Sequence, residues 1–238
     1  MRLHRFYINQ AVGIQKELVV ESSDLVHQIR TVFRLKTGDD VVVFDGSGSD
    51  FQCRIADFGK SSITLDVELA TKSRYMPSRE VILYASIVKK DNFEWIVEKA
   101  TELGVTRIIP VISERSEKKA LNMERLKKIA VEASEQSGRG NIPEIGEIKT
   151  LADSVQAITD KQYGIKNKVA FHIDGANLSR SDLAEDSVAL FIGPEGGWSI
   201  DEIDLFNKNN IKVVSLGGQV LRAETAVIAA LSLVLLDA

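Results

Sequence analysis

From Glu80 to the C-terminus, short apolar segments alternate with amphipathic ones, and this alternation constrains the fold more than any other feature. The apolar segments are VILYASI, TRIIPVI, KVAFHIDG, VALFIG and KVVSLG. Their length and composition are typical of strands buried on both faces. The segments DNFEWIVEKATELG, NMERLKKIAVEASEQSG and SIDEIDLFNKNN between them have the pattern of helices. Residues 80–238 are therefore predicted to form an α/β domain with a parallel sheet covered on both faces.

Local signals predict where two of these helices begin and end. Asp91 is the expected N-cap of the first helix, and Gly104 its C-terminal stop. Ser199 and Glu202 form a Ser-x-x-Glu capping box that opens the helix SIDEIDLFNKNN.

Residues 1–70 have a different pattern, with short strand-like segments separated by Gly, Asp and Ser turns. Such a pattern predicts a small β-barrel or sandwich. Within it, DLVHQIRTVFRLK at 24–36 predicts one amphipathic helix with Val26, Ile29, Val32 and Phe33 on one face. The segment TKSRYMPSR at 71–79 is basic, contains a proline and separates the two periodicities. We predict it to be the linker between two domains.

Charge and composition narrow the possible functions. The net charge of −4 argues against an extensive nucleic-acid surface, because phosphate binding is dominated by Lys and Arg. Up to Arg79 the chain has 11 basic and 10 acidic residues, and the remainder is acidic overall. Any RNA-binding surface is therefore expected to be local and to lie in the N-terminal part.

The cysteine content is typical of a protein in a reducing compartment. The single cysteine, Cys53, excludes an internal disulfide and any multi-cysteine metal site, and it is expected to be a buried, inert thiol. The three histidines are widely separated, so no metal site is predicted.

The N-terminus does not resemble a secretory signal, and the apolar run Ala226 to Leu236 is too short to span a bilayer. We expect a cytoplasmic protein.

Three predicted strands end in unusual loops: FHIDGAN (171–177), GPEGGWS (193–199) and LGGQVLRAETA (216–226). Glycine permits positive φ and close approach of a ligand to the backbone, and ligands of parallel sheets bind at the carboxyl ends of strands. Ordinary turn glycines are the alternative interpretation. Neither a G-x-G-x-x-G dinucleotide motif in the required context nor a G-x-x-x-x-G-K-[ST] phosphate loop is present. The loops by themselves predict a pocket lined by backbone.

These motifs carry a family resemblance. IGPEGGWSIDEI followed by LGGQVLRAETA is similar to the C-terminal motifs of the ribosomal small-subunit RNA methyltransferases that modify N3 of a uridine, in the SPOUT superfamily. HQIRTVFRLKTGDDVVVFDGSG, KKDNFEWIVEKATELGVTRIIPVISERS and ERLKKIAVEASEQSGRGNIPEI extend the resemblance over nearly the whole chain.

The resemblance implies a fold, a reaction and partners. The expected fold is an N-terminal PUA-like β-barrel that binds RNA, followed by an α/β domain with a C-terminal trefoil knot. The expected cofactor is S-adenosylmethionine, and the expected substrate is 16S ribosomal RNA of the small subunit, at the uridine numbered 1498 in the family. A homodimer is also implied. Related enzymes that methylate the ribose 2′-hydroxyl usually carry Asn and Ser in the last loop, whereas this chain has LRAET at 221–225, which favours base methylation.

The resemblance also assigns candidate site residues. A fixed guanidinium would stabilise the negative charge that spreads over uracil O2 and O4 as the N3 proton leaves, and Arg222 is the candidate. The alternative for Arg222 is a structural pair with Glu195 or Glu224. Glu195 is the second catalytic candidate, as proton acceptor, partner of Arg222 or clamp on backbone amides. The expected cofactor-binding residues are His172, Ile173, Gly193, Gly197, Leu216, Gly217, Gly218 and Leu221.

Five arginines match basic positions of the family motifs and are candidates for RNA binding, although each is equally compatible with solvated surface. They are Arg5, Arg30, Arg34, Arg115 and Arg139. Trp198 either covers the pocket or is a packing residue. Two other functions fit parts of the pattern: a non-catalytic RNA-binding protein, and a small-molecule enzyme with a doubly wound sheet, which would not require the N-terminal barrel.

Overall fold

A computed structural model describes residues 3–116, 120–159 and 164–236. The chain forms two compact units, Met1–Met76 with Ser134–Ile142, and Pro77–Ala133 with Pro143–Ala238. The division at Met76 falls within the predicted linker. Residues 134–142, which the sequence pattern assigned to the C-terminal domain, cluster instead with the N-terminal unit, where the Glu135 carboxylate accepts a hydrogen bond of 2.9 Å from the backbone N–H of Tyr7.

The N-terminal unit contains a five-stranded sheet in the order β1-β3-β4-β5-β2. Its strands are β1 (Arg5–Tyr7), β2 (Glu17–Glu21), β3 (Asp40–Phe44), β4 (Ser49–Phe58) and β5 (Ser62–Lys72). β1 and β3 are parallel, and the other pairs are antiparallel. Alternate residues of β4, Phe51, Cys53 and Ile55, point into the core. Burial, followed by the nearby carboxylates of Glu68 and Asp66, raises the pKa of the Cys53 thiol to about 12, so the thiol stays protonated.

The segment at 24–36 is not one regular helix. α1 (Ser23–His27) begins at its N-cap, Ser22, and continues as a wider π-helical turn, Gln28–Val32. Ile29 is fully buried, but the wider turn rotates Val32 outward, where 62% of it is exposed, so the prediction for Val32 is wrong. Arg34 follows with φ of +57°, a left-handed conformation that is costly for a side-chain-bearing residue.

The C-terminal unit has a parallel sheet in the order β12-β10-β11-β6-β7-β8, with β9 also paired to β7. The strands are β6 (Glu80–Ser86), β7 (Arg107–Ile112), β8 (Glu144–Ile145), β9 (Lys149–Thr150), β10 (Asn167–Asn177), β11 (Ser187–Ile192) and β12 (Lys212–Ser215). The helices are α2 (Lys90–Leu103), α3 (Met123–Ser137), α4 (Leu151–Thr159), α5 (Ile200–Lys208) and α6 (Ala223–Leu235), with a 3₁₀ turn at Arg180–Leu183. The last turn of α3 belongs to the N-terminal unit.

This architecture confirms the predicted α/β class. Residues of β6, β7, β10 and β11 form an apolar core with α4, α5 and Trp198, while α6 packs against α2 and β11. β11 and β12 lie on opposite sides of β10, so the chain must cross β10 between them. The threading of a knot stays a prediction of the family resemblance.

One helix start differs from its prediction. α2 begins at Lys90 with Lys89 as N-cap, and Asp91 lies in its first turn. Asp91 therefore does not cap the helix, although its charge there still favours the positive end of the helix dipole. The helix ends at Gly104, whose φ of +108° is the left-handed conformation expected of a glycine stop.

Candidate functional site

A cavity of about 320 Å³ opens at the carboxyl ends of β10, β11 and β12 in the C-terminal unit. The three loops that the sequence analysis selected form its walls, together with one residue that follows β7. The lining residues are Arg115, Phe171, His172, Ile173, Asp174, Ile192, Gly193, Pro194, Glu195, Gly196, Gly197, Ser215, Leu216, Gly217, Gln219, Val220, Leu221, Ala223 and Ala226.

The first wall is a bulge in β10. Phe171 and Ala176 both pair with Val214 of β12, so the four residues between them leave the ladder. Three of these, His172, Ile173 and Asp174, line the cavity. The fourth, Gly175, passes directly over β12, because a Cβ there would lie 2.4 Å from the carbonyl carbon of Val214. Glycine at 175 is what allows the bulge to rejoin the sheet.

The second wall is the turn that follows β11. The N–H of Gly197 donates to the carbonyl of Pro194 at 2.8 Å, and Gly197 has φ of +66°. Behind it, Trp198 is 2% exposed and donates its indole N–H to the carbonyl of Phe171 at 3.1 Å. A Cβ on Gly193 would lie 3.2 Å from the Trp198 ring. Trp198 is therefore a packing residue that supports the wall and does not cover the cavity.

The third wall connects β12 to α6. Its turn is fixed by Ser215, whose hydroxyl donates to the carbonyl of Gly217 at 2.8 Å and accepts from the Gly217 N–H at 3.1 Å. A Cβ at Gly217 or Gly218 would meet no atom within 4 Å, so this stretch faces open space. Arg222 is the N-cap residue of α6, and its side chain makes no capping hydrogen bond.

A fourth segment reaches the cavity from β7. Glu202, in the first turn of α5, accepts from the N–H of Ser199 at 2.8 Å, and Ser199 Oγ accepts from the Glu202 N–H at 3.3 Å. The predicted capping box is thus present. The second oxygen of Glu202 accepts from the N–H of Glu114 at 2.8 Å. The adjacent Arg115 donates from Nη1 to the carbonyl of Gly196 at 2.6 Å.

The structure brings most of the predicted site residues together. Seven of the eight expected cofactor residues line the cavity: His172, Ile173, Gly193, Gly197, Leu216, Gly217 and Leu221. Gly218 is exposed in the same loop but does not line it. Glu195 lies on the rim, exposed.

Arg222 is exposed between two lining residues, Leu221 and Ala223. Within the described part of the chain, the structure shows no ion pair of Arg222 with Glu195 or Glu224. Glu224 is 7% exposed, and its Oε2 atom has no hydrogen-bond partner among the described residues. The structural pair considered for Arg222 is therefore not formed here.

The five candidate RNA-binding arginines separate into three groups. Arg5 and Arg139 are held inside the N-terminal unit. Arg5 pairs with Asp50 at 2.7 Å and lies 3.5 Å from the ring centroid of Phe44. Arg139 is 3% exposed, and burial lowers its pKa to about 10. Burial counts against contact of these two with RNA, and their role there stays a prediction.

Arg30 and Arg34 are exposed on the π-helical segment and directly after it, whereas Arg115 lines the cavity of the other unit. Asp174 and Gly196 also line the cavity, within two of the selected loops but not among the expected cofactor residues, whereas Arg115 lies outside those loops. A signal for Arg115 existed, since it follows a buried parallel strand just as the three selected loops do. That strand end contains no glycine, which is why it was not selected.

Within the described residues there is no cluster of three or more His, Cys, Asp or Glu able to hold a metal ion. No described helix has the length and apolar character that crossing a membrane requires.

Comparisons with known proteins identify the family of this chain. A family model described as an RNA methyltransferase domain matches residues 75–235, and an RNA methyltransferase PUA domain matches residues 24–68. Ribosomal RNA small subunit methyltransferase E of Rickettsia conorii is 33% identical over 98% of this chain and 95% of its own length.

Two solved structures share the whole fold. The first is a methyltransferase E of the ribosomal small subunit from Neisseria gonorrhoeae, bound to S-adenosylmethionine. It is 26% identical with a TM-score of 0.88, and the match covers 97% of this chain and 96% of that one. The second is a methyltransferase candidate from Legionella pneumophila with bound cofactor SAM, 28% identical with a TM-score of 0.90, covering 100% and 98%. The chain therefore belongs to the RNA methyltransferase family that includes ribosomal RNA small subunit methyltransferase E.

Proposed function

We propose that this protein is an S-adenosylmethionine-dependent methyltransferase that acts on 16S ribosomal RNA of the small subunit, at N3 of the uridine numbered 1498 in the family. The observation that carries the proposal is the cavity at the ends of β10, β11 and β12, which is built by the motifs that the family shares. The relatives' names supply the RNA substrate, and two similar structures contain the cofactor.

The cavity fits the cofactor. Its volume of about 320 Å³ lies within the roughly 300–1,000 Å³ of small-molecule sites. The open space beside Gly217 and Gly218 allows a ligand to approach the backbone closely. The apolar side chains of Leu216, Val220 and Leu221 provide surface for an adenine ring.

The bound cofactor supplies a methyl group on a sulfonium, which a nucleophile displaces in line. Residues of this chain then have to orient uracil N3, accept the N3 proton and stabilise the negative charge that forms on the base. Correct orientation of the two reactants accounts for much of the rate acceleration of such a displacement. Arg222 is the residue proposed to stabilise this charge, because it is the N-cap residue of α6 between two lining residues and forms no ion pair among the described residues. A cation beside the reacting base stabilises the developing uracil oxyanion.

Glu195 is the carboxylate that lines the second wall, on the tip of the Pro194–Gly197 turn. Its exposure and the absence of a pair with Arg222 among the described residues favour proton acceptor over structural partner. Cofactor contact is proposed for His172, Ile173, Gly193, Gly197, Leu216, Gly217, Gly218 and Leu221.

RNA binding is proposed for the N-terminal unit. Arg30 and Arg34 are both exposed; Arg30 lies in the π-helical turn, and Arg34 follows it in a left-handed conformation. Such irregular backbone is frequent at functional positions. Arg30 also lies 5.7 Å from the ring centroid of Phe58, which holds the guanidinium in place.

A homodimer is proposed as the working form, in the cytoplasm where ribosomal subunits are made. Its support is the exposed apolar surface of the C-terminal unit. Trp95 of α2 is 42% exposed, and Leu233 and Leu236 at the end of α6 are 46% and 66% exposed. Exposed large apolar side chains of this kind are frequent at interaction sites.

The test is methyl transfer from labelled S-adenosylmethionine into small subunits from cells that lack the modification. Wild-type protein should transfer close to one methyl group per subunit. Arg222→Ala should reduce the transfer rate by about 100-fold or more while cofactor affinity stays near wild type, as for loss of one oxyanion donor. Transfer at the wild-type rate by Arg222→Ala would refute its role, and a well-folded wild type that binds no cofactor would refute the enzyme proposal.

A further inference from the structure

Arg115 is a charged residue of the cavity wall that comes from outside the three glycine-rich loops. It lies just beyond the carboxyl end of β7, and its side chain reaches the turn after β11. Its aliphatic stem lies against Gly196, where an added Cβ would be 3.3 Å from Arg115 Cδ. Only a glycine at 196 allows this close packing without a shift of the arginine.

The backbone that carries Arg115 is anchored at two points. Glu202, 8% exposed, joins the N–H of Glu114 to the N-terminus of α5 through one carboxylate. On the other side, the buried hydroxyls of Ser113 and Ser116 lie 2.9 Å apart, and Ser116 Oγ accepts from the Ser113 N–H at 3.2 Å. These bonds fix the position from which the arginine extends, so its guanidinium is preorganised.

In the part of the chain that the structure describes, the guanidinium of Arg115 makes one hydrogen bond, to the carbonyl of Gly196. An arginine carries five N–H groups in a planar fork that matches a carboxylate with two parallel bonds. One of them, on Nη1, donates to the Gly196 carbonyl. Among the described residues, no acidic side chain forms an ion pair with Arg115. A cation that lines a cavity without an acidic partner is suited to an anionic group of the ligand.

The charges around the cavity are arranged for a zwitterion. Arg115 is the positive group on the wall made by the Pro194–Gly197 turn, and Asp174 and Glu195 are exposed carboxylates on the bulge and the turn. The amino-acid end of S-adenosylmethionine carries one carboxylate and one ammonium group, and the sulfonium is a second cation. The cavity therefore offers one positive side chain for the single negative group of the cofactor and two negative side chains for its two positive groups.

We propose that Arg115 binds the carboxylate of the cofactor's amino-acid end while it holds the Pro194–Gly197 turn through the Gly196 carbonyl. This inference rests on the proposed function and names the ligand group that one residue recognises. It replaces the expectation that Arg115 contacts RNA.

The test is a comparison of two ligands and three variants by calorimetry. The ligands are S-adenosylmethionine and decarboxylated S-adenosylmethionine, which lacks only the carboxylate. The variants are Arg115→Ala, Arg115→Lys and Arg125→Ala, the last an exposed arginine of α3 that serves as the charge-matched control. Thermal unfolding of each variant establishes that it is folded.

We expect Arg115→Ala to weaken S-adenosylmethionine about 10- to 100-fold, as for loss of a hydrogen-bonded charge pair. The same variant should bind the decarboxylated ligand within about threefold of wild type. Arg115→Lys should fall between, because a lysine keeps the charge but not the planar fork. Arg125→Ala should match wild type with both ligands.

Equal loss for both ligands would overturn the proposal and leave Arg115 a role in shaping the turn alone. Unchanged cofactor affinity together with weaker RNA binding would also overturn it, in favour of an RNA contact. Failure of wild-type protein to bind S-adenosylmethionine would instead refute the proposed function, so the two failures are distinguishable.

Discussion

Gly175 lets β10 rejoin β12 after the bulge that forms the first cavity wall, and Gly175→Ala is the most informative single substitution. An alanine Cβ would lie 2.4 Å from the carbonyl carbon and 2.6 Å from the carbonyl oxygen of Val214. Both are backbone atoms of β12, so no side-chain rotation relieves the contact. Ordinary contact begins at about 3.4 Å, and β10 and β12 must separate by about 1 Å.

The cost follows from that separation. Overpacking of this kind costs about 1–3 kcal/mol. The pairs Ala176 with Val214 and Asn177 with Ser215 follow the bulge, and each weakened ladder hydrogen bond adds about 1 kcal/mol. Alanine also lowers the conformational entropy of the unfolded chain, which offsets about 0.4–1 kcal/mol of this destabilisation. We expect a net loss of about 2–5 kcal/mol in the free energy of unfolding, measured by urea denaturation.

Gly175→Ala should also weaken cofactor binding, because His172, Ile173 and Asp174 move with the bulge and β12 leads directly into the third wall. The matched control is Gly218→Ala, whose added Cβ meets nothing within 4 Å and should change stability by less than about 0.5 kcal/mol. The reasoning would be refuted if Gly175→Ala unfolded at the wild-type urea concentration and kept wild-type cofactor affinity.

Three further changes test the packing and the charges. Trp198→Phe removes the donor to the Phe171 carbonyl and should destabilise the protein by about 1–3 kcal/mol in chemical denaturation; an unchanged midpoint would contradict the supporting role of Trp198. Arg5→Ala removes the cation that pairs with Asp50 and leaves its carboxylate, among the described residues, only the hydrogen bond from Ser73 Oγ, at a cost of about 2–4 kcal/mol for this partly exposed pair; loss of RNA binding without loss of stability would restore Arg5 as an RNA contact. Cys53 should not react with a thiol reagent at pH 8 in the native protein, since its pKa is raised to about 12. The contribution of this protonated thiol to stability should be complete below its ordinary pKa of 9.0 and fall as the pH rises towards 12; rapid labelling of native protein would contradict this.

The sequence was sufficient where a local pattern reports directly on structure. The alternation of apolar strands and helices predicts the parallel sheet, and the loops after three predicted strands, two of them rich in glycine, predict three walls of the cavity. The capping box of Ser199 and Glu202 is present as predicted. Each of these features depends on residues that are close together in the chain.

The parts that could not be predicted depend on contacts between distant residues. The bulge at 172–175 arises because Phe171 and Ala176 share Val214 as partner, which no local pattern shows. The second role of Glu202, as acceptor for Glu114, joins residues that are 88 positions apart. The turn Gln28–Val32 is π-helical, so a prediction from α-helical periodicity places Val32 on the buried face although it is exposed. For Arg5, basic character suggested RNA, but Asp50 and Phe44 bury its guanidinium.

The central claim is that this cavity and Arg222 serve base methylation of the small-subunit RNA. Its most direct test is mass spectrometry of the nucleosides released from 16S ribosomal RNA after incubation of modification-free small subunits with the protein and S-adenosylmethionine. We predict 3-methyluridine at a single position, and its formation at a rate lower by about 100-fold or more with Arg222→Ala. A ribose-methylated nucleoside, or methylation of another base, would contradict the account.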